Sequence, residues 1–116
     1  MYIGFVIFEG MTALDFIGVH DPITRLKTMG FLPDLKWELC SFSPEADDNT
    51  GLTFRPTLAP RSSLEHFDLI VIPGGLGTRH LRRDAGFLAW IATCEQVPLK
   101  ATVCTGSLLL GAAGLL

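Results

Sequence analysis

Ala101-Thr102-Val103-Cys104-Thr105-Gly106-Ser107 is the stretch richest in chemistry. A short β-forming run passes directly into Cys-Thr-Gly and then an apolar helix. That is the layout of a nucleophile elbow, where a tight turn exposes one side chain at the C-terminal edge of a sheet. A thiol suits the position, because the amides and dipole opening the next helix favour an anion, so a Cys104 thiolate is expected near neutral pH. The other reading of Cys104 is a small cysteine buried for packing. A second signal is Ile72-Pro73-Gly74-Gly75-Leu76-Gly77, at the end of another apolar run. Ligands of open α/β sheets sit beyond such strand ends, and glycine amides there can donate to a developing negative charge. A ligand-free β–α turn is the plainer account. The spacing is not G-x-G-x-x-G and no phosphate-loop lysine follows, so no nucleotide is implied.

Asp15 is the third candidate, an acid between Leu14 and Phe16 that is costly to bury without a partner. At the end of the first strand's loop it can face the same edge as Cys104, or it can simply favour a nearby helix start. His20, His66 and His80 lie in no motif that points at Cys104 and read as surface or structural residues. Cys40 and Cys94 read as packing residues. No ligand-type residues have zinc spacing, so neither a metal nor a cofactor is expected.

The apolar pattern sets out the strands and helices around these residues. Tyr2 to Phe8 and Phe67 to Ile72 are apolar runs suited to strands buried in a parallel sheet, and Pro98 to Val103 makes a further short strand. Lys36 to Phe42 alternates as a second strand, and Leu52 to Leu58 is a short edge strand limited by Pro56. Ser43 to Gly51 is polar turn material. Thr12 to Met29 carries Leu14, Ile17, Ile23, Leu26 and Met29 at helical spacing, with Gly18 and Pro22 dividing it into two pieces and Gly30 ending it. Asp84 is placed to cap a helix from Ala85 to about Glu95 whose Phe87, Leu88 and Ile91 face inward. Strands alternating with helices imply a mostly parallel sheet covered on both faces. The final helix, Leu108 to Leu116, has no charged face, so it must be buried; either the chain is part of a longer protein or a partner covers it.

The 116 residues suffice for one domain, and a 48% hydrophobic content with 18% charge is far from disorder. A net charge of −3 with no basic run excludes a nucleic-acid face. Three scattered cysteines are no disulfide framework and indicate a reducing compartment. The N-terminus lacks a basic lead-in, and the uncharged C-terminal stretch is too short for a membrane span, so a cytoplasmic protein is expected.

Thr12 to Gly18, Phe67 to Arg79 and Val103 to Leu116 together resemble the ThiJ/PfpI superfamily, most of all its isonitrile hydratases. The resemblance spans nearly the whole chain. It implies a flavodoxin-like sandwich, a homodimer, a small-molecule substrate, and Cys104 as nucleophile with Asp15 as acidic partner and Thr105 assisting. Gly74, Gly75, Leu76 and Gly77 form the loop whose amides bind substrate or an oxyanion. The implied reaction is hydration of an isocyanide to an N-substituted formamide. Many relatives have Gly-Pro where this chain has Gly18-Val19. They also continue for several dozen residues beyond the last helix, often through a histidine-bearing segment, so residues 1–116 are expected to be the N-terminal portion of one such domain. Other branches supply the alternatives: a cysteine-dependent amidase, deglycase or peptidase-like enzyme, or a ligand-sensing or dimerisation domain of a transcription regulator. Those enzymes commonly carry Glu where this chain has Asp15. Redox sensing through Cys104 is a third alternative.

Overall fold

The computed structural model describes residues 1–116 throughout. In chain order the elements are β1 (Tyr2–Ile7), α1 (Ala13–Thr28), β2 (Lys36–Ser41), β3 (Ala46–Asp47), β4 (Thr53–Phe54), β5 (Leu69–Ile72), α2 (Thr78–Leu81), α3 (Ala85–Ala92), β6 (Leu99–Thr102) and α4 (Gly106–Ala112). Four strands make one sheet in the order β2-β1-β5-β6, and every pair in it is parallel. The central strands are the charge-free ones. In β1, Ile3 through Ile7 are all buried, as a strand covered on both faces must be.

Alternation along β1 and its flank sorts the two faces. Phe5 packs edge-on against Phe16 of α1, with ring centroids 6.3 Å apart. Phe8, of opposite parity, meets Phe87 of α3 at the same 6.3 Å separation. Phe42 and Trp90 extend that second layer, and the Trp90 indole N–H donates to the Ser62 carbonyl. Right-handed β–α–β crossovers running in opposite directions from the centre of the sheet account for this division. The expected flavodoxin-like α/β sandwich, a mostly parallel sheet with helices on both faces, is what forms.

Several local expectations need correction. The segment expected as two helical pieces is one helix, with Pro22 inside it. The missing Pro22 N–H leaves only an exposed position, Gly18, without its helical donor, and Thr24 Oγ1 donates to the His20 and Asp21 carbonyls just beyond. The face that packs also differs. Phe16 and Thr24 are buried and Val19, His20 and Ile23 half-buried, whereas Leu14, Ile17, Leu26 and Met29 are exposed. Apolar spacing was correct for a helix but not for its rotation about its axis. Gly30 does end the helix, at φ 84°.

Leu52 to Leu58 does not join the main sheet. Only Thr53 and Phe54 are extended, paired antiparallel with Ala46 and Asp47 from the segment expected to be pure turn. A carboxylate ties this small ribbon down: Asp48 accepts from Thr50 N, Thr50 Oγ1 and Leu52 N. The final helix stops at Ala112, with Gly114 at φ 79° just beyond, rather than running to Leu116. It lies against α2 and α3, where Leu109 and Leu110 are buried, so much of its apolar surface is covered within the chain. On the α1 face the sheet stays open over β6, where Leu99 is 53% exposed.

Candidate active site

Three loops meet at the C-terminal ends of β1, β5 and β6. Thr12 N donates to the Gly74 carbonyl at 2.8 Å and Gly77 N to the Gly10 carbonyl at 3.0 Å, joining the first loop to the glycine loop. Gly75, at φ 142°, lies so close to the first loop that a Cβ would fall 2.5 Å from Gly10 O and Thr12 N. Here glycine is required both by conformation and by space. The third loop is fixed at Gly106, where a Cβ would collide with the Ile72 and Pro73 carbonyls. The helix after β6 can therefore start directly against the end of β5.

Cys104 is exposed and sits at φ 52°, the left-handed region that side chains rarely occupy. A strained non-glycine residue held by its surroundings is characteristic of functional sites. Cys40 and Cys94 behave differently. Both are buried, and desolvation pushes the Cys40 thiol up to about 12 and raises that of Cys94. Cys104 is thus the one thiol in contact with solvent.

Thr105 Oγ1 latches the elbow to the glycine loop. It accepts from Gly75 N at 3.0 Å and lies 3.3 Å from the Gly75 carbonyl as a donor. This changes the expected role of the loop amides. The Gly75 and Gly77 N–H groups are engaged by Thr105 and Gly10, so they are not free for a ligand. The N–H groups of Gly74, Leu76, Cys104 and Thr105 have no acceptor in the chain, and Gly74 is buried. The other three are the amides available to an oxyanion.

Cys104 opens onto a cavity of about 500 Å³ lined by Thr12, Gly75, Leu76, Thr78, Arg79, Arg82, Thr105 and Leu108. Of the expected site residues, Cys104, Thr105, Gly75 and Leu76 come together there, while Gly74 and Gly77 lie buried behind the loop. Asp15 is half-buried in the first turn of α1, its N–H donating to Thr12 O at 3.0 Å. It stands one turn from the cavity-lining Thr12 and is not itself part of the lining. Sequence reasoning did not single out Thr12, Thr78, Arg79, Arg82 or Leu108. Arg79 and Arg82, three residues apart after the glycine loop, were the available signal. No histidine lines the cavity, and His80 is exposed on α2. His20 is packed between Phe5 and Phe16, at 5.0 and 5.2 Å between ring centroids, and burial lowers its pKa. His66 is exposed beside Glu65. No group of three or more His, Cys, Asp or Glu side chains is arranged to hold a metal, and no helix is long and apolar enough to cross a membrane.

A parallel sheet of order β2-β1-β5-β6 with helices on both faces is a flavodoxin-like fold, here with an exposed cysteine between β6 and α4. Solved structures agree. Oxidized DJ-1 of Toxoplasma gondii superposes with a TM-score of 0.76 at 20% identity, over 99% of this chain and 62% of that one. An AraC family transcriptional regulator from Pseudomonas putida gives 0.71 at 21% identity, again over 99% and 62%. The chain is a homologue of the isonitrile hydratase of Pseudomonas putida, 35% identical over 119 residues that include all of this chain and 49% of that protein. It therefore spans about half the length of this curated relative. No protein-family model matches the chain.

Proposed function

We propose that the chain carries the nucleophile-bearing portion of an enzyme that hydrates an isocyanide to an N-substituted formamide. The observation that supports this most is Cys104, exposed at φ 52° above a cavity, in a homologue of isonitrile hydratase. The terminal carbon of R–N≡C is electrophilic and weakly basic. The Cys104 thiolate bonds to that carbon while Asp15, one turn from the cavity lining, delivers a proton to it through a bridging water, giving the thioimidate R–N=CH–S–Cys. Water then adds to the same carbon, one of its protons going to nitrogen and the other back to the Asp15 carboxylate, and the C–S bond breaks to release the Cys104 thiolate and R–NH–CHO. Net, one isocyanide and one water become one formamide. The free amides of Leu76, Cys104 and Thr105 stabilise charge as it moves through the adduct. Thr105, through its two contacts with Gly75, holds the loop against the elbow.

The test is formamide production from cyclohexyl isocyanide, followed by mass spectrometry. Cys104→Ala should fall to the uncatalysed rate, and Asp15→Asn should lose turnover while keeping the fold. Parent-like turnover by Cys104→Ala overturns the proposal, and unchanged turnover by Asp15→Asn removes the role of Asp15. Homodimer assembly in the cytoplasm belongs to the same proposal. Leu14 and Leu76, 75% and 74% exposed and sharing one groove, supply apolar surface for it. A monomeric mass by light scattering would count against the dimer.

The regulator with the same fold supports a second reading, a ligand-sensing domain that binds at Cys104 without turnover. It requires ligand-dependent stabilisation with no formamide released.

A further inference from the structure

We propose that Arg79 and Arg82 make the Cys104 cavity selective for a small organic anion, a carboxylate carried on a short apolar skeleton. Both arginines line the cavity with the thiol, and no Asp or Glu lines it with them. They sit three residues apart at α2, so they project from one side of it. That side is fixed by Thr78 and Leu81, which are buried beneath, and by Thr78 Oγ1 donating to the Gly75 carbonyl at 2.9 Å. Neither guanidinium is consumed within the fold. The arginine ion pairs of the structure are those of Arg25 with Asp21 and Arg55 with Glu45. The neighbouring Asp84 carboxylate is committed to Phe87 N at the start of α3.

Guanidinium is a permanent cation with a planar fork of donors that matches a carboxylate. Two of them beside a nucleophile, unpaired in a protein of net charge −3, have no structural partner to explain their placement. Leu76 and Leu108 form the apolar part of the wall. A ligand that satisfies all of these groups has a negative head toward α2 and an apolar body beside the elbow. The proposal rests on Cys104 as the reactive group of the site. Within the hydration chemistry above, the substrate class becomes an isocyanide bearing a carboxylate.

Alkylation of Cys104 tests this without relying on the hydratase activity. The full chain is treated with iodoacetate, an anion, and with iodoacetamide, its neutral analogue, and modification of Cys104 is followed by peptide mass. The ratio of the two rates cancels any effect on thiol ionisation, because both reagents meet the same thiolate. Arg79→Gln and Arg82→Gln should each lower the iodoacetate-to-iodoacetamide ratio about threefold, and the double variant about tenfold. Raising ionic strength from about 0.05 to about 0.5 M should lower the parent ratio and leave that of the double variant flat. Arg55→Gln, remote from the cavity, should not change it. A double variant with the parent ratio overturns the proposal, as does a parent ratio insensitive to salt. In the hydration assay, a carboxylate-bearing isocyanide should show a lower KM than its methyl ester, and Arg82→Gln should erase the difference. Should no isocyanide be hydrated while the alkylation ratio still falls in the arginine variants, the anion selectivity stands and the hydratase reading fails.

Discussion

At the scale of single residues, the site is built on backbone that its side chains do not prefer. Cys104 holds φ 52°, where a Cβ costs roughly 1–2 kcal/mol. Replacing it therefore does two separable things. Cys104→Ala keeps the strain and removes the thiol, whereas Cys104→Gly removes both. Urea unfolding should show the glycine variant more stable than the alanine variant by about 1 kcal/mol, with both unreactive toward thiol reagents. His20 gives a second test at this scale. Its imidazole is held among Phe5, Phe16 and Trp37, and desolvation lowers its pKa below the usual 6.5, with Asp21 opposing only in part. The folded state thus binds this proton less readily than the unfolded chain, so the stability it contributes is complete above pH 6.5 and declines as pH falls below that value. His20→Phe should keep the packing and flatten that part of the stability–pH curve, measured by denaturant titration at a series of pH values.

At the scale of elements, function depends on how closely β5, β6 and α4 come together. Gly106 leaves no room between the start of α4 and the carbonyls ending β5. Gly106→Ala should cost about 1–3 kcal/mol, as overpacked sites do, and should also slow Cys104 alkylation by displacing the elbow. An alanine variant with parent stability and parent alkylation rate would show that the approach is looser than the backbone indicates. The elements also show how far sequence pattern reaches. Charge-free runs identified β1 and β5, and the residue types at Asp84 and Gly30 marked a helix start and stop that the structure uses. The rotation of α1 was not legible, because Leu14 and Ile17 have the same spacing as a buried stripe yet are exposed. Which stripe packs depends on the direction in which the loop leaves β1, and that is set by the contacts of Gly10 and Thr12 with residues more than sixty positions away.

At the scale of the whole molecule, the unexpected feature is the cover of α4. Its leucines read as surface in need of a partner, but Leu109 and Leu110 close against α2 and α3. Leu109→Ala should then destabilise the chain by about 2–5 kcal/mol through a cavity left in its own core. The loss should not depend on protein concentration in equilibrium unfolding. A concentration-dependent loss would place Leu109 in an interface between chains instead.

Residue pattern alone was enough for the parallel α/β class, the tight turn at Cys104 between β6 and α4, and the glycine loop after β5. Each of these is local: a run of β-formers, a small-residue turn, a helix start. Tertiary structure decided which loop amides remain free, because Thr105 and Gly10 take those of Gly75 and Gly77 from elsewhere in the chain. It also decided that Arg79 and Arg82 share a cavity with the thiol. Hydrogen bonds between distant segments and the sharing of one cavity are set by the three-dimensional path of the backbone, which no local pattern of residues encodes.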